Sequence, residues 1–152
     1  MASDSNTWAP PVLFHFSVEF QWDGDRASAS FSEVDGLGQE LELARPEKGN
    51  GNEKELPKDV KVTDLTLKRA VEPVNEKITV WVKNTFRFLY GAKIKPCTLL
   101  ICLLDGQGKP AAKWICERAF PVKWTVSPLN ASESRIAIET ITLRYETLRR
   151  GN

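Results

Sequence analysis

The stretch 119–148 contains two runs that alternate as β-strands do, joined by a short polar turn. In the first run, apolar residues recur at every second position from Phe120 to Val126, which is typical of a half-buried strand. The second run changes phase, because its first apolar residues, Ile136 and Ile138, lie on one face of a strand and the later ones on the other. These later residues are Ile141, Leu143 and Tyr145. A strand that changes its buried face either bulges or passes from one packing surface to another.

The segment 60–71 changes phase in the same way, from Val60 and Val62 to Leu65 and Leu67. Two strands with this defect favour a strongly bent sheet. Further runs predict strands at 12–22, 27–34, 37–44 (with a mostly leucine face), 98–105 and 112–117. We therefore expect a mainly β fold, an antiparallel β-barrel of two bent sheets.

Residues 73–89 form the one helical candidate. Apolar residues recur there three and four positions apart, with charged residues opposite, which indicates an amphipathic helix. The apolar stripe consists of Val74, Ile78, Trp81, Val82, Thr85, Phe86 and Leu89. Pro73 suits the first turn and Gly91 the end of such a helix. We expect it to flank the barrel and to cover its mouth or one sheet face, rather than to bind a partner.

A chain of 152 residues is long enough to bury a core without disulfides or metals. We expect one domain over residues 12–150, preceded by a flexible arm over residues 1–11. The net charge of +1 gives no overall field that would attract nucleic acid, and no apolar run approaches the ~20 residues of a membrane span. Because the N-terminus lacks a secretory pattern and the 3 cysteines cannot all pair, we expect synthesis in a reducing cytoplasm.

The residue types that enzymes use form no recognisable arrangement. His15 is the sole histidine and has no second ligand at metal-binding spacing, so we expect a structural role for it. The glycines of Gly36-Leu37-Gly38 lack the rest of a dinucleotide fingerprint. The 5 tryptophans would suit stacking on sugars or bases, but core packing is their commoner use. We therefore predict no catalytic residue, no cofactor and no metal site, and a protein that is not an enzyme.

Residues 45–59 interrupt the strand pattern with a charged segment rich in glycine and asparagine. At roughly 15 residues this segment exceeds a usual hairpin loop. It is either a solvated loop or a segment that becomes ordered only against another subunit. The candidate contact residues of the second interpretation are Arg45, Lys48, Asn50, Asn52, Glu53, Lys54, Glu55 and Lys58.

Two other segments favour assembly. The run 98–105 is apolar on both faces, and a strand of this kind must be covered on both sides. The helix would cover part of its outer face, and a neighbouring copy of the protein would cover the rest. In the last strand, Ile141, Leu143 and Tyr145 are candidates for contact with a neighbouring subunit.

The order of these segments resembles the inner tube proteins of contractile phage tails and contractile injection systems. The matching segments cover most of the chain and are 14–20 (FHFSVEF), 31–42 (FSEVDGLGQELE), 65–71 (LTLKRAV), Trp81, 99–124 and 129–148. The resemblance implies a compact barrel with a flanking helix, and homo-hexameric rings that stack into a hollow tube. It also implies sheath and baseplate or spike proteins as partners, and an assembled tail or injection particle as the final location. The segment between Leu41 and Leu65 would then reach the next ring or the neighbouring subunit.

Two departures from the family pattern lie at the end of that segment and in the strand after it. The family implies a Pro-Gly turn before an LKRG-like strand, whereas residues 56–59 read LPKD and Ala70 replaces the glycine. Two roles therefore remain, the repeating tube subunit, which we favour, and an initiator ring that joins the tube to the baseplate. The residues alone also leave a monomeric ligand-binding β-barrel with a tryptophan-lined cavity, and, last, an enzyme that uses His15.

Overall fold

The structure, a computed structural model, describes residues 15–44, 55–132 and 135–152. The strands in these residues are β1 (His15–Trp22), β2 (Asp25–Phe31), β3 (Glu33–Asp35), β4 (Gln39–Ala44), β5 (Leu56–Val62), β6 (Leu65–Ala70), β7 (Cys97–Leu104), β8 (Pro110–Val126), β9 (Ile138–Arg144) and β10 (Thr147–Arg150). The α-helix α1 spans Lys77–Thr85, and a 3-10 turn spans Phe88–Tyr90. The prediction of a mainly β fold of antiparallel strands with one α-helix is confirmed for this part of the chain.

The longest strand, β8, belongs to both halves of the fold. Its N-terminal half pairs with β7, where Cys116 lies opposite Leu99. Its C-terminal half pairs with β9, where Val126 lies opposite Glu139. The predicted runs 112–117 and 120–126 are therefore one continuous strand that is shared by two sheets.

The two halves of β8 meet at a bend at Arg118, whose φ of 55° lies in the left-handed region. The registers of β8 with β7 and with β9 both shift near this point. An extra residue of this kind bulges a strand and increases its bend and twist. Arg118 Nε also lies 2.9 Å from Glu146 Oε2, in the short link between β9 and β10. The sheet therefore bends as expected, but the bend is in β8 and not in the middle of β9.

The paired strands follow the order β2-β1-β7-β8-β9-β6-β3, with β10 beside the first half of β8. The two ends of this order, β2 and β3, are separated in the chain by Ser32 alone. The Ser32 N–H donates a 2.9 Å hydrogen bond to Lys68 O, so the chain passes there from the edge of β1 to the edge of β6. As a result, two bent antiparallel sheets wrap around one core.

Side chains from both sheets and from α1 fill this interior. Phe20 packs against Trp22 with ring centroids 6.0 Å apart, and Trp81 of α1 meets these two rings edge-on at 5.7 and 5.5 Å. The fully buried residues around these rings include Val18, Leu65, Leu67, Leu99, Ile101, Ile141 and Leu143. The helix therefore covers one end of the aromatic core, as an amphipathic helix on a sheet does.

The helix begins at Lys77 and not at Pro73. The Glu76 carboxylate caps it by accepting hydrogen bonds from the N–H groups of Ile78 at 3.2 Å and Thr79 at 2.8 Å. The Pro73 carbonyl accepts a bond from the Glu76 N–H at 3.1 Å, which makes a separate turn before the helix. Satisfying the free N–H groups of a first turn is what fixes a helix start, and here the cap at Glu76 does so.

The phase changes inferred at 60–71 and in the last strand have a different cause. The segment 60–71 is two strands, β5 and β6, and both β6 and β9 keep a single buried face throughout. The buried face of β6 includes Arg69 and that of β9 includes Glu139, and these two charged residues are only 3% and 4% exposed. Val71 and Ile136 are exposed because they lie beyond the strand ends. The prediction that these strands change their buried face is therefore wrong.

Candidate assembly surfaces

Strands β4 and β5 form a two-stranded sheet apart from the main one. Their register shifts between Glu42 and Leu43, which marks a bulge. The leucine face of β4 is open, since Leu41 is 52% and Leu43 is 42% exposed, whereas Leu56, which is 62% exposed, lies opposite Ala44 on the other face of the hairpin. An isolated pair of strands is marginally stable in water, so this apolar surface is suited to burial against another surface.

Hydrogen bonds connect the base of this hairpin to the rest of the fold. Gln39 Nε2 donates a 2.7 Å hydrogen bond to Leu148 O on β10, and Thr63 Oγ1 donates a 2.6 Å bond to Gly36 O. Gly36 has a φ of +96°, and a Cβ at this position would overlap the Asp64 carbonyl oxygen. Only glycine fits this close approach of two backbones, so the hairpin leaves the barrel from a fixed base.

The structure separates the predicted contact residues into three groups. Arg45, Lys48, Asn50, Asn52, Glu53 and Lys54 lie outside the described residues. Glu55 and Lys58 are exposed at the start of β5. Ile141, Leu143 and Tyr145 are 0%, 0% and 5% exposed within the single chain. Because these three side chains form the chain's own core, the expectation that they contact a neighbouring subunit is corrected.

The outward face of β7 is partly covered. Its outward residues Leu100, Cys102 and Leu104 are half-buried, whereas the sequence pattern indicated an open apolar surface. Gly151 and Asn152 line the same groove as Leu100 and Cys102. We refer to Leu100, Cys102 and Leu104 as the outer strip; less of it is open to a partner than the sequence indicated.

An exposed apolar surface at the end of α1 was missed by sequence reasoning. Phe86, Phe88, Leu89 and Tyr90 are 48%, 59%, 88% and 85% exposed, and we call these four residues the aromatic patch. Phe86 and Leu89 were assigned to the buried helical stripe, but α1 ends at Thr85. The 3-10 turn that follows has about three residues per turn, so its side chains leave that stripe. The signal that was overlooked is the adjacency of large apolar residues in 86–90.

A buried ionic network connects α1 to the main sheet. Arg69 Nε donates a 2.9 Å hydrogen bond to Glu139 Oε2, and Arg69 Nη2 donates a 2.8 Å hydrogen bond to Glu76 Oε2. The other Glu139 oxygen, Oε1, accepts a 2.9 Å bond from Trp124 Nε1. The Arg69 guanidinium also lies 5.3 Å from the centroid of the Phe31 ring. The network therefore joins β6, β8, β9 and the helix cap.

The pKa values within the network follow from competition between burial and pairing. Burial alone would lower the pKa of Arg69, but its hydrogen bond to Glu76 and the charge of Glu139 raise it above the usual value. Burial alone would raise the pKa of Glu76, but hydrogen bonds from Arg69 and Thr79 lower it overall. The fold therefore stabilises the guanidinium cation of Arg69 and the carboxylate anion of Glu76.

Among the described residues, the remaining reactive side chains lie apart from one another. His15 is exposed at the first position of β1. Burial raises the pKa of the Cys97 and Cys116 thiols to about 12, which makes them poor nucleophiles at neutral pH. In the part of the chain that the structure describes, no group of three or more His, Cys, Asp or Glu side chains is placed to hold a metal ion.

The grooves are superficial, and the tryptophans take part in packing. A groove of about 610 Å³ lies between the hairpin and β10, and one of about 650 Å³ lies beside α1. Trp22 and Trp81 line the second groove, but their rings pack on each other and on Phe20. Among the described helices, none is long and apolar enough to cross a membrane.

Comparison with known proteins gives a consistent result. A model of the family of the T4-like virus tail tube protein gp19 matches residues 12–149. A chain in the baseplate of the anti-feeding prophage is similar, with a TM-score of 0.73, 26% identity, and 95% of this chain and 97% of that chain covered. A chain in the extended sheath-tube complex of the extracellular contractile injection system PVC has a TM-score of 0.71, 22% identity and 99% of each chain covered. An Hcp protein shares the fold, with a TM-score of 0.55, 9% identity and 89% of each chain covered. No curated protein sequence matches the chain.

Proposed function

Because the chain belongs to the T4-like virus tail tube protein gp19 family, we propose that it forms hexameric rings that stack into the inner tube of a contractile tail or injection system. The observation that carries this proposal is the family match over residues 12–149. The fold supports it, since a baseplate chain and a sheath-tube chain share it over nearly their whole lengths. The function is mechanical, and its residues act by binding other subunits.

Within a ring, each subunit would contact its neighbours through two different surfaces. Repeated pairing of two different surfaces generates a ring when the rotation closes, and six subunits close the ring proposed here. The outer strip of β7 is one candidate, because its apolar residues are only half-buried in the single chain. Burial of that strip would stabilise the ring at roughly 25 cal/mol per Å² of apolar surface.

Between rings, the contact would be made by the β4–β5 hairpin together with residues 45–59. Exposed ion pairs contribute only about 0–1 kcal/mol each, so charges such as Lys58 would set the register between rings. The exposed Leu41, Leu43 and Leu56 would supply the apolar burial. Glu42 and Lys61 lie 3.6 Å apart within the hairpin, so part of its charge is already paired.

The chain is either the repeating tube subunit, which we favour, or the initiator ring at the baseplate. The similarity to a sheath-tube chain over 99% of both chains supports the first role. The similarity to a baseplate chain at 26% identity, together with Ala70 at the end of β6, supports the second. In both roles, sheath and baseplate or spike proteins would be its partners, and the assembled particle its final location after synthesis in the cytoplasm.

Negative-stain electron microscopy of the purified chain tests this proposal. We expect rings or tubes of sixfold symmetry, with long tubes for a repeating subunit and short stacks for an initiator. Featureless particles at micromolar concentration would instead favour the monomeric ligand-binding barrel. Sixfold rings would exclude that alternative.

A hairpin variant tests the stacking contact separately. Replacing residues 45–55 by Asn-Gly leaves a two-residue turn that keeps Ala44 opposite Leu56. We expect shorter stacks of rings, because the tip is removed while Leu41, Leu43 and Leu56 remain. The thermal unfolding of the subunit should stay close to that of the wild type. Tubes of normal length from this variant would show that the tip of the hairpin does not join rings.

A further inference from the structure

The aromatic patch has a fixed shape at the end of α1. Tyr90 N–H donates a 2.9 Å hydrogen bond to Arg87 O, and Gly91 N–H donates a 3.1 Å hydrogen bond to Phe88 O. Gly91 then ends the 3-10 turn with a φ of 91°. Leu89 and Tyr90 are 88% and 85% exposed, so these two side chains extend into solvent. An exposed apolar surface of this kind marks a binding site for another protein or for a membrane.

Three cations next to the patch have no carboxylate partner among the described residues. Lys83 lies in the last turn of α1, Arg87 follows one helical turn later, and Lys93 comes shortly after the 3-10 turn. All three side chains are exposed. None of them forms an ion pair within the part of the chain that the structure describes. The patch is therefore bordered by uncompensated positive charge.

The carboxylates beside α1 belong to a different part of its surface. Asp23 and Asp25 line the groove beside the helix together with Lys77 and Lys95. Asp25 Oδ1 lies 2.8 Å from Lys77 Nζ, so part of the charge in this groove is already paired. The three cations next to the patch do not line that groove. The positive charge around the patch is therefore a local property, although the net charge of the chain is only +1.

We propose that the aromatic patch binds the surface of a membrane that contains anionic lipids. Phe88 and Leu89 enter the boundary of the acyl layer, and Tyr90 places its ring and its hydroxyl at the level of the headgroups. The three cations reach the lipid phosphates, with their aliphatic stems along the apolar boundary. Only the end of the turn enters the lipid, so the chain lies on the membrane without crossing it.

The composition of the patch favours lipid over other occupants that basic aromatic surfaces attract. Single-stranded nucleic acid binds by stacking its bases on aromatic rings, but the most exposed member of the patch, Leu89, is aliphatic. A protein partner would have to supply a matching hollow for each extended side chain, whereas a membrane adapts to their shape because its lipids are fluid. A single chain carries the whole patch, so the inference does not depend on the proposed ring. A ring would repeat the patch and strengthen the binding through multivalency.

Co-sedimentation with lipid vesicles tests the proposal. One preparation contains phosphatidylcholine alone, and the other contains equal parts of phosphatidylcholine and phosphatidylglycerol. We expect about tenfold stronger binding to the anionic vesicles, because the three cations are attracted to their surface. Raising the salt from about 0.1 M to about 1 M should remove most of this difference, since the Debye length falls from about 10 Å to about 3 Å.

Matched variants locate the contact. Phe88→Ser/Leu89→Ser should weaken binding to the anionic vesicles at least about tenfold, because the apolar side chains that enter the lipid are lost. Both positions are exposed in the single chain, so this variant should fold. Leu129→Ser should bind as the wild type does, since Leu129 is also 78% exposed but lies beyond the end of β8.

A polarity-sensitive fluorophore gives a second readout. Attached through Leu89→Cys, it should shift its emission to shorter wavelength on the anionic vesicles, because it enters the lipid. Attached through Val74→Cys, it should not shift, since Val74 is 85% exposed but lies before the start of α1, outside the patch. Both labelled variants carry Cys102→Ser, so that the half-buried native thiol is not labelled.

The inference is overturned if the wild type stays in the supernatant with both preparations, which is the outcome expected of a surface that recognises an acidic protein or nucleic acid. Equal binding to both preparations, or equal binding of the wild type and Phe88→Ser/Leu89→Ser, would also overturn it. The same holds for equal emission shifts at positions 89 and 74. Rings or tubes in micrographs of the purified chain would leave the proposed function in place in each of these cases.

Discussion

Arg69 and Glu139 lie directly opposite each other on β6 and β9, and the Arg69 Nε proton bonds Glu139 Oε2 at 2.9 Å inside the core. A buried ion pair is not in itself a strong source of stability, because the cost of desolvating both charges opposes their attraction. Breaking the pair by removing one partner is different, since the remaining charge stays buried without compensation. This asymmetry makes the pair the most informative site for mutation.

We predict that Arg69→Met destabilises the subunit by about 3–5 kcal/mol, because Glu139 then remains buried as an unpaired charge. The double variant Arg69→Met/Glu139→Leu should recover most of this loss and lie within about 2 kcal/mol of the wild type. Urea unfolding of both variants measures the difference. Part of the remaining loss would come from Trp124 Nε1, which loses its acceptor.

An exposed pair on β9 provides the control. Arg144 Nε lies 3.2 Å from Asp64 Oδ1, and the two side chains are 62% and 41% exposed. Arg144→Met should therefore destabilise the subunit far less than Arg69→Met does. If Arg69→Met and Arg144→Met lowered the free energy of unfolding equally, burial of the Arg69–Glu139 pair would not be what makes its loss costly.

We also predict that acid weakens the cap of α1. The pKa of Glu76 is lowered in the folded chain, so the stabilisation from its charge is complete above the unfolded pKa of about 4.3 and is lost as the pH falls through the folded pKa. Glu76→Gln should be less stable than the wild type at pH 7, and this difference should shrink below about pH 4.5. Unfolding free energies measured from pH 7 to pH 3 check it, and a constant difference would contradict the assignment.

Gly36 and Gly24 give a matched test of the hairpin base. Both have positive φ, +96° and +75°, but only at Gly36 would a Cβ meet another backbone. Gly24→Ala should cost about 1 kcal/mol from left-handed strain alone. Gly36→Ala should cost at least about 2 kcal/mol more, because Asp64 must move. Comparable unfolding midpoints for the two variants would mean that the close approach at Gly36 is easily relieved.

The thiols should differ in reactivity. Burial raises the pKa of Cys97 and Cys116 to about 12, whereas Cys102 is half-buried on the outer strip. At pH 8 a thiol reagent should modify Cys102 first, and the other two only after unfolding. Mass spectrometry of the labelled peptides identifies the order. Early labelling of Cys97 or Cys116 would show that the core opens locally.

The same two thiols predict a loss of stability in alkali. Their folded pKa lies above the usual 9, so their contribution is complete below that value and is lost as the pH rises towards about 12. At pH 10.5 the loss should be about 2 kcal/mol per thiol. The double variant Cys97→Ala/Cys116→Ala should be less stable at pH 7 because of its cavities, but should lose less than the wild type between pH 9 and pH 11.

Sequence reasoning found most of the strands because period-two patterns survive wherever one face is buried. The run 12–22 contains β1, and the run 27–34 became β2 and β3. It misread 60–71 because a break between two strands, β5 and β6, looks like a change of face within one strand. It misread β9 because the inward residue there is the charged Glu139 and its outward neighbour is the apolar Ile138. The pairing of two charges 70 positions apart in the chain is a tertiary fact that no local window contains.

The assembly surfaces were predicted less completely for a related reason. An exposed leucine on β4 and a buried leucine on β6 have the same local pattern, and only the absence of a covering layer over the hairpin distinguishes them. Phe86 and Leu89 fit a helical stripe, but the chain leaves the α-helix at Thr85. The family resemblance, in contrast, was readable from the order of segments, because it did not depend on knowing which face each residue occupies.

The continuity of β8 across both sheets has a consequence for the proposed tube, should it be pushed end-on. Force applied to one sheet is passed to the other through β8, with the bend at Arg118 at the point of transfer, and also through Ser32 between β2 and β3. Ladder hydrogen bonds on either side of the bend, to β7 and to β9, then share the force. The two sheets of a subunit would therefore yield together under load.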